Sequence, residues 1–211
     1  MEYETEEQQV EALKAWWAEN GRAVIAGVVL GVAVIGGWTF WQDRQERRAL
    51  AASDAYGEAL IAVDADDGAR VAELADLLAE EHEGSLYAAF ANLAAARLAI
   101  AGGDLESAAE RLAWAAEHAP QEDVQLVATV RLARVEGALG RVDDGLARLP
   151  ESYAETFTGL VEEARGDLLV QSGDLEAART AYESAQASGD VADAAALGMK
   201  LDDLAVAEST S

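Results

Sequence analysis

From Ala23 to Gln42 the chain carries no charged residue: AVIAGVVLGVAVIGGWTFWQ. A helix rising about 1.5 Å per residue needs roughly 20 apolar residues to cross a hydrocarbon core of about 30 Å. The pattern therefore predicts a transmembrane helix over residues 22–42, with Arg22 and Asp43 as its polar limits. Trp38 and Trp41 near one end, and Trp16 and Trp17 before the other, have the amphipathic rings that settle at membrane–water interfaces. The two competing readings of such a run are a buried core helix and a cleaved signal peptide. The unbroken apolar length argues against the first. Against the second, the leader is acidic, and the A-x-A at Ala49–Ala51 lies beyond Arg44, Arg47 and Arg48.

Within the span, Ala23, Gly27 and Gly31 recur every four residues, a spacing that puts small side chains on one helix face where a second helix can approach closely. Before the span, Val10, Leu13, Trp16 and Trp17 fall on one side of a short amphipathic helix. Thr5 with Gln8 fits a capping box at its start, and Asn20 with Gly21 is a termination signal. This segment, residues 1–21, is expected to lie on the membrane surface or to meet a partner.

Beyond the span, residues 43–211 are expected to form one domain in which the apolar pattern becomes helical and repetitive. Gly103 in AGGDLESAA, Gly140 in ALGRVDDGL and Gly173 in QSGDLEAAR mark turns 37 and 33 residues apart. These values bracket the period of about 34 of tetratricopeptide helix hairpins. Each glycine is followed five positions later by a small residue, Ala108, Gly145 or Ala178, which lets the returning helix pack closely. Gly166 occupies a position where the first helix of the last hairpin needs a small contact. An earlier pair, about residues 44–63 and 69–83, reads as a degenerate repeat or cap, and a helix over about 191–206 as the cover at the other end. The predicted class is all-α: a single amino-terminal transmembrane helix followed by a tetratricopeptide-like repeat domain.

Composition supports this class and narrows the chemistry. Alanine dominates, and the hydrophobic fraction is 51%, enough apolar surface to fold despite a net charge of −25. That charge opposes binding to phosphate backbones, so nucleic acid is not an expected partner. Most of it, a net −22, belongs to the chain from Ala49 onward. With no cysteine there is no disulfide framework, and the two histidines, His82 and His118, fall in separate helical regions, where they are read as ordinary solvated side chains. The DADDG run at Asp64–Gly68 lacks the spacing and closing Glu of a calcium loop and is read as a turn. No nucleophile elbow or phosphate-binding glycine loop occurs. The expectation is a noncatalytic protein without a catalytic, cofactor or metal site.

The stretch QVEALKAWWAENGRAVIAGVVLGVAVIGGW, from Gln9 to Trp38, resembles the amino-terminal signature of the YfgM family, ancillary subunits of the bacterial Sec translocon. VRLARVEGALG, from Val130 to Gly140, and EEARGDLLVQSGDLEAARTAYESA, from Glu162 to Ala185, are similar to the same family. The resemblance implies an inner-membrane protein with a cytoplasmic amino terminus and a periplasmic repeat domain. The basic residues flanking the span, Lys14 and Arg22 against Arg44, Arg47 and Arg48, give only a one-residue bias the other way. The implied partners are the SecYEG translocon, a membrane-anchored chaperone resembling PpiD, translocated client proteins and membrane lipid.

Binding is the chemistry left to such a domain. The first helix of each hairpin lines the concave face of a tetratricopeptide stack. Arg97, Arg134 and Asp167 each precede their marker glycine by six residues, which places them in one lateral row. The two cations are either a site for an acidic partner or simply paired with nearby Glu residues. Phe90, Leu93, Val127 and Val130 are further candidates for this surface. The resulting expectation is a tethered adaptor that helps pass translocated proteins to chaperones. An envelope-assembly or cell-division scaffold and a direct holdase are the alternatives.

Overall fold

The computed structural model describes the backbone of residues 3–209 and the side chains of residues 7–205. Helix α1 spans Tyr3–Asp64, and the described chain divides into two compact units, Met1–Leu50 and Ala51–Ser211.

In the first unit the expected break at Asn20–Gly21 does not occur. A glycine ends a helix by turning to positive φ, and Gly21 is not among the glycines that do. Instead, the Asn20 side-chain amide donates to the Trp16 carbonyl at 3.1 Å, and the Trp17 indole lies over Gly21, 3.2 Å from where a Cβ would stand. Both residues of the stop signal are thus used inside the helix. Thr5, expected as a cap, already lies within it. The helix is long and apolar enough to cross a membrane, and none of its most apolar stretch is buried. Leu30, Val32, Val34, Ile35 and Phe40 are all exposed, which a core helix of a water-soluble protein would not tolerate.

The second unit is a row of helix hairpins. The end of α1 is followed by α2 (Gly68–Glu81), and then come the pairs α3 (Leu86–Ala101) with α4 (Leu105–His118) and α5 (Glu122–Ala138) with α6 (Val142–Arg148). A 3-10 turn at Glu155–Phe157 leads into α7 (Thr158–Ser172), which pairs with α8 (Leu175–Ser188), and α9 (Ala194–Ser209) packs on α8. No strand occurs among the described residues. The all-α class and the hairpin pattern hold, including the closing helix; the first helix of the early pair does not begin near residue 44 but is the end of α1, continuous with the apolar helix.

Local chemistry explains the turns. Gly103, Gly140 and Gly173 have φ of 81°, 79° and 88°, the left-handed region that side chains with a Cβ avoid. After two of them an aspartate starts the next helix: Asp104 accepts from the Ser107 backbone N–H and Asp174 from that of Ala177, each at 3.1 Å. At the DADDG turn, Asp67 does the same for Arg70 at 3.0 Å.

Alanine fills much of the core, because small side chains let helices approach closely. The end of α1, α2 and α3 share one cluster around Ala52, Ala62, Val71, Ala75, Leu78 and Ala91. Further clusters centre on Leu112 and Leu132, on Val130, Val161 and Leu168, and on Tyr182 and Leu197. Each joins neighbouring helices, as expected where a single hairpin cannot bury both of its faces.

Candidate partner-binding surface

The first helices of the hairpins present a cavity of about 400 Å³ lined by Tyr56, Phe90, Leu93, Asp123, Val124, Val127, Arg131 and Phe157. Its lining carries the repeat: Tyr56, Phe90 and Val124 are 34 residues apart in succession, as are Leu93 and Val127. Equivalent positions of successive repeats thus converge on one apolar hollow. Tyr56 stacks obliquely on Tyr87 and Phe90, with ring centroids 5.6 and 6.2 Å away, and burial raises its phenol pKa.

Of the residues expected on this surface, the structure brings together Phe90, Leu93 and Val127. Val130 is not on it. It is fully buried and packs with Ala133, Leu149, Val161 and Leu168, because it lies three residues past Val127, on the flank of α5 that meets α6 and α7. Arg97 is exposed and makes no ion pair among the described residues. Arg131, which the glycine spacing did not select, lines the cavity.

Arg134 and Asp167 are in contact but belong to a separate polar cluster. Arg134 Nε lies 3.6 Å from Asp167 Oδ2, and its Nη2 lies 3.8 Å from Glu163 Oε2. From α9, Lys200 Nζ donates to Asp167 at 2.6 Å and to Glu163 at 2.7 Å. The Tyr182 hydroxyl donates to Asp167 at 2.9 Å, and Lys200 Nζ sits 5.5 Å from the Tyr182 ring centre. Burial pulls the Lys200 pKa down, but the hydrogen bonds to Asp167 and Glu163 outweigh it and leave the ammonium raised. Burial, reinforced by the bond to Asp167, raises the Tyr182 phenol. Two cations face two carboxylates in this cluster, which fastens α9 to α7; Arg134 is ion-paired rather than a free site, although its Nε is buried without a hydrogen-bond partner.

The two histidines have different local surroundings. His82 caps α2, whereas His118 stacks on Trp114 with centroids 4.8 Å apart and bonds the Trp114 carbonyl at 2.9 Å. His118 is therefore half-buried rather than solvated, since the indole covers one ring face. No group of three or more His, Cys, Asp or Glu side chains able to hold a metal ion occurs among the described residues. In the first unit, a Cβ at Gly27 or Gly31 would meet nothing within 4 Å, so the small face of the apolar helix is open.

Residues 14–206 match the family model described as a tetratricopeptide repeat-like domain. The chain is 35% identical over 182 residues to the ancillary SecYEG translocon subunit of Escherichia coli, covering 86% of this chain and 87% of that protein. It is 32% identical over 199 residues to the protein of the same name from Haemophilus influenzae, covering 94% and 97%. A third relative of that name, from Aggregatibacter actinomycetemcomitans, is 29% identical over 94% of this chain and 97% of its own length. No solved structure matches the chain. An exposed apolar helix joined to a row of glycine-turned hairpins, in a chain that matches these relatives over nearly their whole length, places the protein in the YfgM family of tetratricopeptide repeat-like ancillary SecYEG translocon subunits.

Proposed function

We propose that the protein is a noncatalytic, membrane-tethered adaptor of the Sec translocon that helps hand translocated proteins to chaperones at the outer face of the inner membrane. The observation that carries this reading is the apolar cavity on the first-helix face of the repeats, in a chain that also has a helix long and apolar enough to cross a membrane. The SecYEG association in the relatives' name supports the location. In this reading the amino terminus is cytoplasmic, the repeats are periplasmic, and a membrane-anchored chaperone resembling PpiD is the neighbouring partner.

Tethering raises the effective concentration of a weak groove to the millimolar range for short linkers, so modest contacts suffice next to the exit of the channel. The test is co-purification from native membranes under mild solubilisation, combined with site-specific crosslinking from Phe90, Val127 and Gly27. Recovery of translocon and chaperone subunits is expected, with chaperone or client crosslinks from the cavity. Recovery of neither rejects the adaptor. Suppression of aggregation by the protein alone, without partners, identifies a holdase instead.

A further inference from the structure

The repeat unit has ten basic residues from Ala51 onward. All but two are engaged: seven in ion pairs and Arg179 in a contact of its own. The two without an acidic partner among the described residues are Arg97 and Arg131, and both are exposed. In a unit so rich in carboxylates, an unpaired cation is the exception.

Their positions are equivalent. Arg97 follows Phe90 by seven residues and Leu93 by four; Arg131 follows Val124 by seven and Val127 by four. Residues at these intervals share one helix face, and the four apolar ones all line the same cavity. Arg97 and Arg131 are themselves 34 residues apart, one repeat. The face therefore reads twice in succession as two apolar side chains followed by a free guanidinium. At the opposite end of α5, Asp123 borders the cavity and disfavours an anion there.

We infer that this face is a docking groove for an acidic segment of a partner protein, with an aromatic or branched aliphatic side chain seated in the cavity and two following carboxylates held by Arg97 and Arg131. Guanidinium and carboxylate match as planar, bidentate groups, and the surrounding negative charge of the domain rejects segments that cannot place their acids on those two points. Two cations in series call for side-chain carboxylates within a segment, because a chain terminus supplies only one. The inference deepens the adaptor reading and rests on it for the role of the surface, though not for its chemistry.

The test uses the full chain in phosphatidylcholine nanodiscs and a short fluorescein-labelled peptide, acetylated and amidated, carrying one Phe followed by two Asp. Saturable binding is expected. Arg97→Gln and Arg131→Gln should each weaken it about tenfold, as expected for loss of one charge-assisted hydrogen-bonded pair. Asn in place of both peptide Asp residues should weaken it at least as much, and added salt should weaken the wild-type complex. Both arginines are exposed, so unchanged melting by circular dichroism is expected for the variants. Absence of binding, equal affinity for the double Gln variant, equal affinity for the Asn peptide, or a requirement for a free carboxyl terminus would each overturn the inference. Translocon co-purification of the same variants reads the adaptor role separately. Peptide binding without translocon recovery defeats the adaptor and leaves the groove, and recovery without peptide binding does the reverse.

Discussion

The Tyr182 ring occupies the space that a side chain on Gly166 would need: a Cβ there would stand 2.3 Å from Tyr182 Cε1. Because the next residue, Asp167, accepts the Tyr182 hydroxyl, two consecutive positions of α7 seat one aromatic side chain of α8. Helix propensity alone makes Gly→Ala stabilising by about 0.5–1 kcal/mol. Overpacking of this contact makes Gly166→Ala destabilising by about 1–3 kcal/mol instead. The sign of the shift in urea midpoint decides between them, and a stabilised variant would show that the ring yields freely.

Lys200 is the α9 end of the polar cluster, facing Glu163 and Asp167 together. Lys200→Met removes both charge-assisted hydrogen bonds and leaves Arg134, at 3.6–3.8 Å, as the remaining cation beside the two carboxylates. A loss of roughly 1–2 kcal/mol is expected. It should appear as faster amide exchange in α9 with little change in α2 or α4, since repeat stability is local. Uniform acceleration along the chain would contradict that localisation.

Tyr153 donates to Glu162 Oε1 at 2.5 Å, and burial first, then this bond, pushes its pKa from 10.0 up to about 12. The folded state therefore keeps the phenol proton in a range where the unfolded chain releases it. The associated stability is intact below pH 10 and is lost as pH rises towards about 12. Thermal melts between these values should fall more steeply for the wild type than for Tyr153→Phe. Parallel curves would remove Tyr153 from the account.

Gly27 and Gly31 carry open space where side chains would be. Gly27→Leu with Gly31→Leu lengthens no apolar segment and should leave membrane insertion intact. Translocon recovery after mild solubilisation should drop several-fold if close helix approach uses this face. Unchanged recovery would leave the face as ordinary lipid-exposed surface.

The turns of the repeat unit are readable from residue types, because a glycine at positive φ followed by a capping aspartate satisfies the chain ends locally, as at Gly103–Asp104 and Gly173–Asp174. The partner surface was harder to read. Counting back from the glycines aligns Arg97 with Arg134, but the cavity aligns it with Arg131. The cause is the length of α5 beyond the shared face: Gly103 follows Arg97 by six residues, whereas Gly140 follows Arg131 by nine. A turn glycine marks where a helix stops, whereas a face is set by what packs on its opposite side. Counting one repeat of 34 from Phe90, Leu93 and Arg97 would have found Val124, Val127 and Arg131.

Sequence by itself determined the uncharged helix, the all-α class and the hairpin turns, since hydrophobic periodicity, chain length and backbone conformation act over a few neighbouring residues. It also determined that a chain of net charge −25 would have few free cations. Only the tertiary structure decided which cations those are. It tied Arg134 to Glu163 and Asp167, drew Val130 into the core and left Arg97 and Arg131 in the open. Whether a long charged side chain is paired depends on carboxylates brought near from other helices, such as Glu163 and Asp167 about 30 residues beyond Arg134, and packing sets that proximity.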